Sequence, residues 1–337
     1  MKIGIVGTGM IVREFLEHLG NMEGLELQAI CGTYRRKKEL QDLSERYGIA
    51  GWYTDYDAML KDEAVEVVYV AVPNHLHYEF SRKAVLAEKH VICEKPFTSN
   101  SREIQKLHCL AAKRHIMLLE AVTTRYLPNT QKIRQLLPEL GRIRIVTANY
   151  SQYSSRYDAF RKGEILPAFD PAKSGGALMD LNIYNINLMA ELFGMPRQVH
   201  YTANIERGID TSGILTMDYD SFQCVCIGAK DCNAPVFTCI QGDRGYICIP
   251  SPVNTLSAYE VCKNADRTGR TAVPGKGRIY DDNGGKHRMY HEFREFIRIV
   301  EERDYECAEK LMEITEITMH ILTRARESAG IVFDADR

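Results

Sequence analysis

A short glycine-rich turn near the start of the chain has the composition of a phosphate-binding site. Gly7-Thr8-Gly9 follows the apolar run Lys2–Gly7 and precedes an amphipathic segment, Met10–Leu19. Glycines at such a turn let the backbone approach a pyrophosphate at the helix N-terminus. Val12 replaces the third glycine of the G-x-G-x-x-G pattern, at a position that serves helix–strand packing, so the alternative is an ordinary βα turn. We predict that a dinucleotide is bound by Gly7, Thr8, Gly9, Met10 and Ile11.

The residues after the second predicted strand, Leu25–Cys31, indicate which dinucleotide binds. An NAD-selective site has Asp or Glu about 20 residues after the glycines, where it accepts a hydrogen bond from the ribose 2′-OH. Here the strand leads into Gly32, Thr33 and Tyr34, and then into four consecutive basic residues, 35–38. Arginine can bind a 2′-phosphate through two hydrogen bonds. We therefore predict NADP as the preferred cofactor and NAD as the alternative, with ribose-end contacts from Thr33, Arg35 and Arg36. The competing interpretation is a solvated first helical turn, although cations there oppose the helix dipole.

The first half of the chain alternates short apolar runs with amphipathic segments. This alternation is typical of βα units and predicts a doubly wound parallel sheet, with a dinucleotide-binding domain over residues 1–122. The predicted strands are Lys2–Gly7, Leu25–Cys31, Val65–Val72, His90–Cys93 and Ile116–Ala121. The predicted helices are Met10–Leu19, Arg36–Tyr47, His75–Glu88 and Arg102–Arg114.

The second half, residues 123–337, has a different pattern. Short strands joined by tight turns predict an α+β domain on an open, mostly antiparallel sheet. A Gly-rich, charged stretch, Thr268–Lys286, is predicted to be a mobile loop. The predicted strands are Ile143–Tyr153, Gln198–Ile205, Gly213–Tyr219, Phe222–Ile227, Val236–Ile240 and Tyr246–Ile249. The predicted helices are Ala177–Phe193, Met289–Glu302 and Ala308–Ser328, of which the last two are candidates to pack back on the first domain.

Composition limits the class of protein. The 337 residues suffice for two domains, and 45% hydrophobic and 26% charged residues are average for globular chains. A net charge of −2 argues against nucleic acid or an anionic membrane as the main partner. No apolar run approaches the roughly 18 residues of a spanning helix, and the Gly-rich opening does not resemble a signal peptide. We expect a cytoplasmic protein.

Five of the ten cysteines fall between Cys224 and Cys248. Strand alternation would put Cys224 and Cys226 on one face, where a soft metal could bind. However, the sequence has no CxxC pair and no Cys/His array at zinc-finger spacing, and Val225 and Ile227 are apolar. We predict reduced core thiols and no metal, with a metal-dependent enzyme as a rival interpretation.

Three further motifs follow the glycine turn in a characteristic order. Pro73-Asn74-His75-Leu76-His77 and Cys93-Glu94-Lys95-Pro96 each follow a predicted strand, and residues 174–184 read Ser-Gly-Gly-Ala-Leu-Met-Asp-Leu-Asn-Ile-Tyr. In this order and spacing the set resembles the Gfo/Idh/MocA family (glucose–fructose oxidoreductase, inositol dehydrogenase and relatives). The resemblance covers essentially the whole chain, including a final strand at Gly330–Phe333. It implies a Rossmann domain followed by an α+β domain whose sheet forms subunit contacts, and hence a homodimer or homotetramer.

The resemblance also implies residue roles. Lys95 would contact the nicotinamide ribose and the substrate, Asp180 would bind the substrate, and Tyr184 would transfer the proton. His75 and His77 could line the cofactor site or be merely hydrogen-bonded. The further predicted cofactor contacts are Val72, Pro73, Asn74, His77, Glu94 and Lys95, and the further substrate contact is Lys173.

These residue types suit hydride transfer. Tyrosine is a poor base at neutral pH, but the Lys95 ammonium and an oxidised nicotinamide both favour the phenolate of Tyr184. The lysine would also stabilise a developing alkoxide. Asp180 and Tyr184 are four residues apart, which places them on one helix face that Asn187 continues.

We therefore expect an NAD(P)-dependent oxidoreductase acting on a sugar, polyol or related diol or carbonyl compound. Asn182 and Asn187 replace a glycine and an aspartate that are usual in the family, so the substrate stays open. The alternative from a different functional class is a catalytically silent cofactor-binding sensor or regulator on the same fold.

Overall fold

The computed structural model describes residues 1–264 and 277–337, which fall into two compact units. The first unit comprises Met1–Ala121 and Glu292–Met319, and the second comprises Val122–His291 and His320–Arg337. Residues 268–276 of the predicted mobile loop lie outside the described residues.

The first unit contains a six-stranded, all-parallel sheet in the order β3-β2-β1-β4-β5-β6. The strand order reverses between β1 and β4, and ligands of doubly wound sheets bind beyond the carboxyl ends of the strands at such a reversal. This sheet confirms the predicted Rossmann domain. Its strands are β1 (Lys2–Val6), β2 (Glu26–Cys31), β3 (Gly51–Tyr53), β4 (Val67–Val70), β5 (His90–Glu94) and β6 (Leu118–Ala121).

Helices alternate with these strands, as the periodicity predicts. The first helix buries Val12 and Phe15, and the Phe15 ring packs 4.6 Å from Phe293 and 5.4 Å from Tyr69, measured between ring centroids. The short β3 and α3 were not predicted, because three to five residues are too few for a periodic signal. The helices are α1 (Met10–Leu19), α2 (Lys37–Tyr47), α3 (Tyr56–Leu60), α4 (His77–Leu86) and α5 (Ser101–Lys113).

The second unit contains an eight-stranded sheet in the order β14-β13-β12-β11-β7-β10-β9-β8. Only the β10–β7 pair is parallel among the described pairs, which confirms the predicted open and mostly antiparallel sheet. The strands are β7 (Ile143–Ser151), β8 (Gln198–Glu206), β9 (Ile209–Tyr219), β10 (Phe222–Ala229), β11 (Phe237–Gly242), β12 (Gly245–Ile249), β13 (Tyr259–Lys263) and β14 (Arg278–Tyr280). The last two were not predicted.

The remaining helices include one irregular element. A π-helical turn, Leu178–Asn182, opens the helix that the sequence predicts over Ala177–Phe193. None of the described helices has the length and apolar content that crossing a membrane requires. The helices are α6 (Thr123–Tyr126), α7 (Pro128–Leu136), α8 (Tyr157–Arg161), α9 (Ile183–Phe193), α10 (Tyr290–Glu301) and α11 (Tyr305–Ser328).

The end of the chain differs from the prediction. Gly330–Phe333 forms no strand: Gly330 has a φ of 69°, and a 3-10 turn follows at Asp334–Asp336. The buried Arg326 holds this segment through hydrogen bonds to the Asp336 carboxylate and the Ile331 carbonyl. These hydrogen bonds order the chain end without a strand partner.

The cysteines occupy mixed environments. Cys224 and Cys226 are buried on one face of β10, with their sulfur atoms 3.8 Å apart, as predicted for core thiols. The prediction is wrong for Cys232, which is exposed because it lies beyond the end of β10. Cys239 and Cys248 are half-buried and directly opposed across the β11–β12 pair.

Candidate active site

The glycine turn has the backbone that its sequence predicts. Gly7 has a φ of 123°, and a β-carbon there would lie well inside 3.0 Å of the Ala71 carbonyl oxygen, so only glycine fits. Its N–H donates to the Cys31 carbonyl at 2.9 Å, and the ends of β1, β2 and β4 are in register. Gly9 precedes α1, whose first turn contains no acidic residue to offset the positive end of its dipole. The turn is therefore suited to an anionic phosphate.

The Val12 position explains the incomplete glycine pattern. Val12 is fully buried within α1, so it fills the helix–strand contact at which the third glycine would stand. Met10, the first residue of the helix and two residues before Val12, is 72% exposed beside the glycines. The substitution therefore leaves the backbone of the Gly7-Thr8-Gly9 turn compatible with the predicted phosphate contact.

Basic side chains follow β2, at the position predicted for the ribose end of the cofactor. Thr33 precedes a 3-10 turn, Tyr34–Arg36, in which Arg35 is exposed. Arg36 bonds Glu39 at 2.6 Å, and Arg13 pairs with the same carboxylate. Burial acts to raise the pKa of Glu39, but hydrogen bonds from Arg36 and Arg13 outweigh this effect and lower the pKa. Sequence reasoning missed Glu39, although its i,i+3 spacing from Arg36 is a signal for an ion pair.

His77 connects the segments that follow β4 and β5. Its Nδ1 lies 2.7 Å from the Pro96 carbonyl oxygen, and its Nε2 lies 2.7 Å from the Val72 carbonyl oxygen. The side chain is buried. Burial lowers the pKa of His77, the two carbonyl contacts oppose this shift, and the charge of Lys95 adds to it. Both ring nitrogens are thus engaged by backbone, as the hydrogen-bonded alternative for this histidine describes.

The Glu94-Lys95 pair lies at the same edge of the sheet as the glycine turn. Val70 and Cys93 are paired across β4 and β5. Val72 and Lys95 each follow this pair by two residues, so both lie just beyond the carboxyl ends of these strands. Glu94 accepts a hydrogen bond of 2.5 Å from the hydroxyl of the buried Tyr69. Lys95 is half-buried. A cation is therefore held next to the strand-order reversal at which the cofactor is predicted to bind.

In the second unit, a carboxylate anchors the helix that carries Asp180 and Tyr184. Asp210 on β9 accepts hydrogen bonds from the Leu178 backbone N–H at 2.7 Å and from the Tyr201 hydroxyl at 2.8 Å. Burial raises the pKa of Asp210, while these hydrogen bonds oppose the shift. Sequence reasoning missed Asp210, because no local pattern links β9 to a helix that precedes it.

The π-helical turn and the first turn of α9 are each attached to β10 by one amide. Asn182 donates to the Cys226 carbonyl at 3.1 Å, and Asn185 donates to the Ile227 carbonyl at 3.1 Å. A β-carbon at Gly228 would lie 2.7 Å from the Asn182 β-carbon, so the close approach needs glycine. Turns of this kind are frequent at functional sites. Asn187 is fully buried and accepts from Arg125 at 3.4 Å, so it does not continue a partly exposed face with Asp180 and Tyr184.

Asp180 has a partner that the sequence did not reveal. The buried Lys230 donates from Nζ to Asp180 Oδ2 at 2.6 Å. Tyr184, four residues after Asp180, is half-buried, and its ring centroid lies 5.9 Å from that of Tyr150. Lys173 lies 3.5 Å from the Asp170 carboxylate. The second unit thus gathers a carboxylate, an ammonium and a phenol on adjoining elements.

Comparison with known families and structures indicates the family to which the chain belongs. A family model described as "Oxidoreductase family, NAD-binding Rossmann fold" matches residues 1–121. A second model, the GFO/IDH/MocA C-terminal domain, matches residues 130–248. Among solved structures, the 3-ketoreductase KijD10 from Actinomadura kijaniata, in complex with NADP and TDP-benzene, has a TM-score of 0.80 and 19% identity, covering 97% of each chain. A levoglucosan dehydrogenase, in complex with NADH and levoglucosan, has a TM-score of 0.77 and 18% identity, covering 98% of this chain and 97% of the other. At these identities the structures show a shared fold.

Relatives of known name match over nearly the whole chain. The scyllo-inositol 2-dehydrogenase (NADP(+)) IolU of Bacillus subtilis is 33% identical over 338 residues, covering 100% of this chain and 99% of the relative. The trans-1,2-dihydrobenzene-1,2-diol dehydrogenase of Mus musculus is 26% identical over 351 residues, covering 100% of this chain and 99% of the relative. The chain therefore belongs to the Gfo/Idh/MocA family and is an NAD(P)-dependent oxidoreductase.

Proposed function

We propose that this protein transfers a hydride between NADP and a CH–OH group of a sugar, polyol or related diol. The main support for the proposal is the position of Lys95. It lies two residues after Cys93, which pairs with Val70 across β4 and β5, and at the same edge of the sheet as the Gly7 turn. Relatives named for an inositol and for a dihydrodiol support this substrate class. They also favour an enzyme over a silent sensor.

In this proposal the chain handles the proton and the developing charge, while bound NADP supplies the hydride acceptor or donor. Tyr184 takes the proton from the substrate hydroxyl during oxidation and returns it during reduction. The Lys95 ammonium stabilises the negative charge that develops on that oxygen and favours the Tyr184 phenolate. Asp180 accepts a hydrogen bond from a neighbouring hydroxyl and so orients the substrate. Lys173 is proposed as an additional substrate contact.

The proposed cofactor preference rests on the segment after β2. No carboxylate stands at its end, where Cys31 and Gly32 are found, and Arg35 and Arg36 follow. Two guanidinium groups suit a 2′-phosphate better than a 2′-hydroxyl. The NADP requirement in the name of the Bacillus relative supports the same preference.

We propose further that two or four copies associate through the open face of the eight-stranded sheet. Ile145 and Ile214 on this sheet are 46% and 48% exposed. Ile214→Glu should then give a smaller species by light scattering, because a carboxylate would be buried without a partner. Ile165→Glu is the control, since Ile165 is 47% exposed but lies outside the sheet strands. An unchanged mass for Ile214→Glu would contradict this interface.

The function is tested by following NADPH absorbance with scyllo-inositol, glucose and a trans-dihydrodiol. Lys95→Met and Tyr184→Phe should each lower kcat about 100-fold or more, while the exposed Lys106→Met should not. An undiminished rate for Lys95→Met would eliminate the proposed mechanism. Cofactor binding without turnover of any substrate would favour the sensor.

A further inference from the structure

Lys230 is a buried cation at the end of β10. Only 2% of its side chain is exposed, and lysine is rarely buried to this extent unless it is paired. Its Nζ donates to Asp180 Oδ2 at 2.6 Å and to the Ala168 carbonyl at 3.0 Å. The same nitrogen lies 4.4 Å from the centroid of the Phe169 ring. Three partners thus fix the position of the ammonium.

The Asp180–Lys230 pair is asymmetric in exposure. The Asp180 side chain is 36% exposed, whereas Lys230 lies behind it in the interior. A molecule that approaches from solvent therefore meets the carboxylate first, with its charge already balanced by the ammonium. A second carboxylate near Lys230, that of Asp210, is 1% exposed and accepts hydrogen bonds from Tyr201 and Leu178. Asp210 is thus turned away from solvent, and Asp180 presents the acceptor.

We propose that Lys230 determines substrate specificity at Asp180, by balancing its charge so that the site selects uncharged hydroxyl groups over protonated amines. The inference rests on the proposed role of Asp180 in binding substrate. A lone, partly exposed carboxylate attracts a cation several ångströms away, whereas a carboxylate paired with an ammonium offers mainly a hydrogen-bond acceptor. Lys230 is in this sense a positioning residue, because it acts through Asp180.

The test compares neutral substrates with their amino-deoxy counterparts at a pH of about 6.5, where a sugar amine is protonated. The pairs are scyllo-inositol with scyllo-inosamine, and glucose with glucosamine. In the native enzyme kcat/KM should be higher for the neutral member. In Lys230→Met this ratio should fall about tenfold or more, mainly through the KM values, because the carboxylate is no longer balanced. Lys230→Arg should restore much of the native ratio.

A second variant should change the ratio of the two kcat/KM values in the opposite direction. In Asp180→Asn the ammonium remains without its carboxylate, so the amino substrate should lose more activity than the neutral one. Lys263→Met, which removes an exposed ion pair with Glu139 on the same unit, is the control and should leave the ratio unchanged. A merely structural role for Lys230 would lower both activities equally and would not reverse in Asp180→Asn.

The possible failures are distinguishable. If the native enzyme neither turns over nor calorimetrically binds a member of either pair, the proposed function is overturned and this inference with it. If the native enzyme is active but the ratio is the same in Lys230→Met and Asp180→Asn, only the role of Lys230 is overturned.

Discussion

Gly176 packs so closely against the Asp210 carboxylate that the glycine position tolerates no side chain. A β-carbon on Gly176 would lie well inside 3.0 Å of Asp210 Oδ1, and Gly176 has a φ of 103°. The same carboxylate accepts from the Leu178 N–H through Oδ2. The second glycine of the Ser174-Gly175-Gly176 turn is therefore required by packing against β9. It sets where the helix bearing Asp180 and Tyr184 begins.

Gly176→Ala should destabilise the protein by about 2–4 kcal/mol, because it combines a backbone penalty with a clash against a buried carboxylate. Gly208→Ala is the matched control, since Gly208 has a φ of 80° but no heavy atom within 4 Å of the added carbon, and should cost about 1 kcal/mol. Chemical denaturation followed by circular dichroism measures both. Equal losses in the two variants would contradict the role assigned to Asp210.

The two glycines of the nucleotide turn should respond differently to alanine. Gly7→Ala should lower the melting temperature, because its carbon would meet the Ala71 carbonyl at a positive φ. Gly9 has a φ of −71° and open space around it, so Gly9→Ala should fold normally. It should nevertheless weaken NADP binding about tenfold or more, since the methyl group would occupy the path of the phosphate. Calorimetry with NADP and thermal unfolding separate these effects, and normal NADP affinity in Gly9→Ala would argue against this phosphate site.

Arg36 should distinguish the two cofactors. Arg36→Ala should weaken NADP about tenfold or more and change NAD binding little, because only NADP carries the 2′-phosphate. Lys38→Ala, two residues further along the same basic run, is the control. Titration of each variant with both cofactors provides the measurement. A parallel loss for NADP and NAD would indicate that Arg36 acts on the fold through Glu39 instead.

His108 should make the stability of the first unit depend on pH. It lies 2.8 Å from Glu316 and 3.0 Å from Glu309, both on α11. Burial acts to lower the pKa of His108, but the two carboxylates outweigh it and raise the pKa above 6.5. The stabilisation is therefore fully present below pH 6.5 and is lost as the pH rises through the raised folded-state value.

The measurement is the melting-temperature difference between the native protein and His108→Gln at pH 5.5 and 8.5. We expect the difference to be larger at pH 5.5 by about 1–3 °C. Glu316→Gln should reduce the pH-dependent part of this difference, because it removes one of the two carboxylates. A difference that is the same at both pH values would show that the histidine contributes packing alone.

Local patterns were sufficient for much of the nucleotide-binding unit. The strand and helix periods of the first 121 residues predicted five of the six parallel strands, because buried parallel strands are continuous apolar runs and their helices are amphipathic. Gly7 could be identified as the key residue of the glycine turn, because it lies between such a strand and such a helix. The Glu94-Lys95-Pro96 and 174–184 motifs indicated the family, which the family models then confirmed.

The contacts that hold Asp180 and its helix in the second unit could not be predicted from local patterns. Lys230 and Asp180 are separated by 50 residues, and Asp210 and Leu178 by 32. Each pair is brought together by the packing of the π-helical turn, Leu178–Asn182, against the eight-stranded sheet, and this packing is a tertiary property that no local period encodes. Residues such as Lys230 and Asp210 look like ordinary surface charges in the sequence, because burial depends on what the rest of the chain packs against them.

The sequence alone determined the class of fold and the glycine turn after β1, because these depend on local spacing and on backbone conformations that glycine permits. Tertiary structure alone decided which charges are buried together and which face solvent. It paired Lys230 with Asp180 and joined the Leu178 N–H to the Asp210 carboxylate. It also buried Asn187, whose amide oxygen accepts a hydrogen bond from Arg125. The physical reason is that a charge can be buried only where folding supplies its partner, and that partner lies far away along the chain.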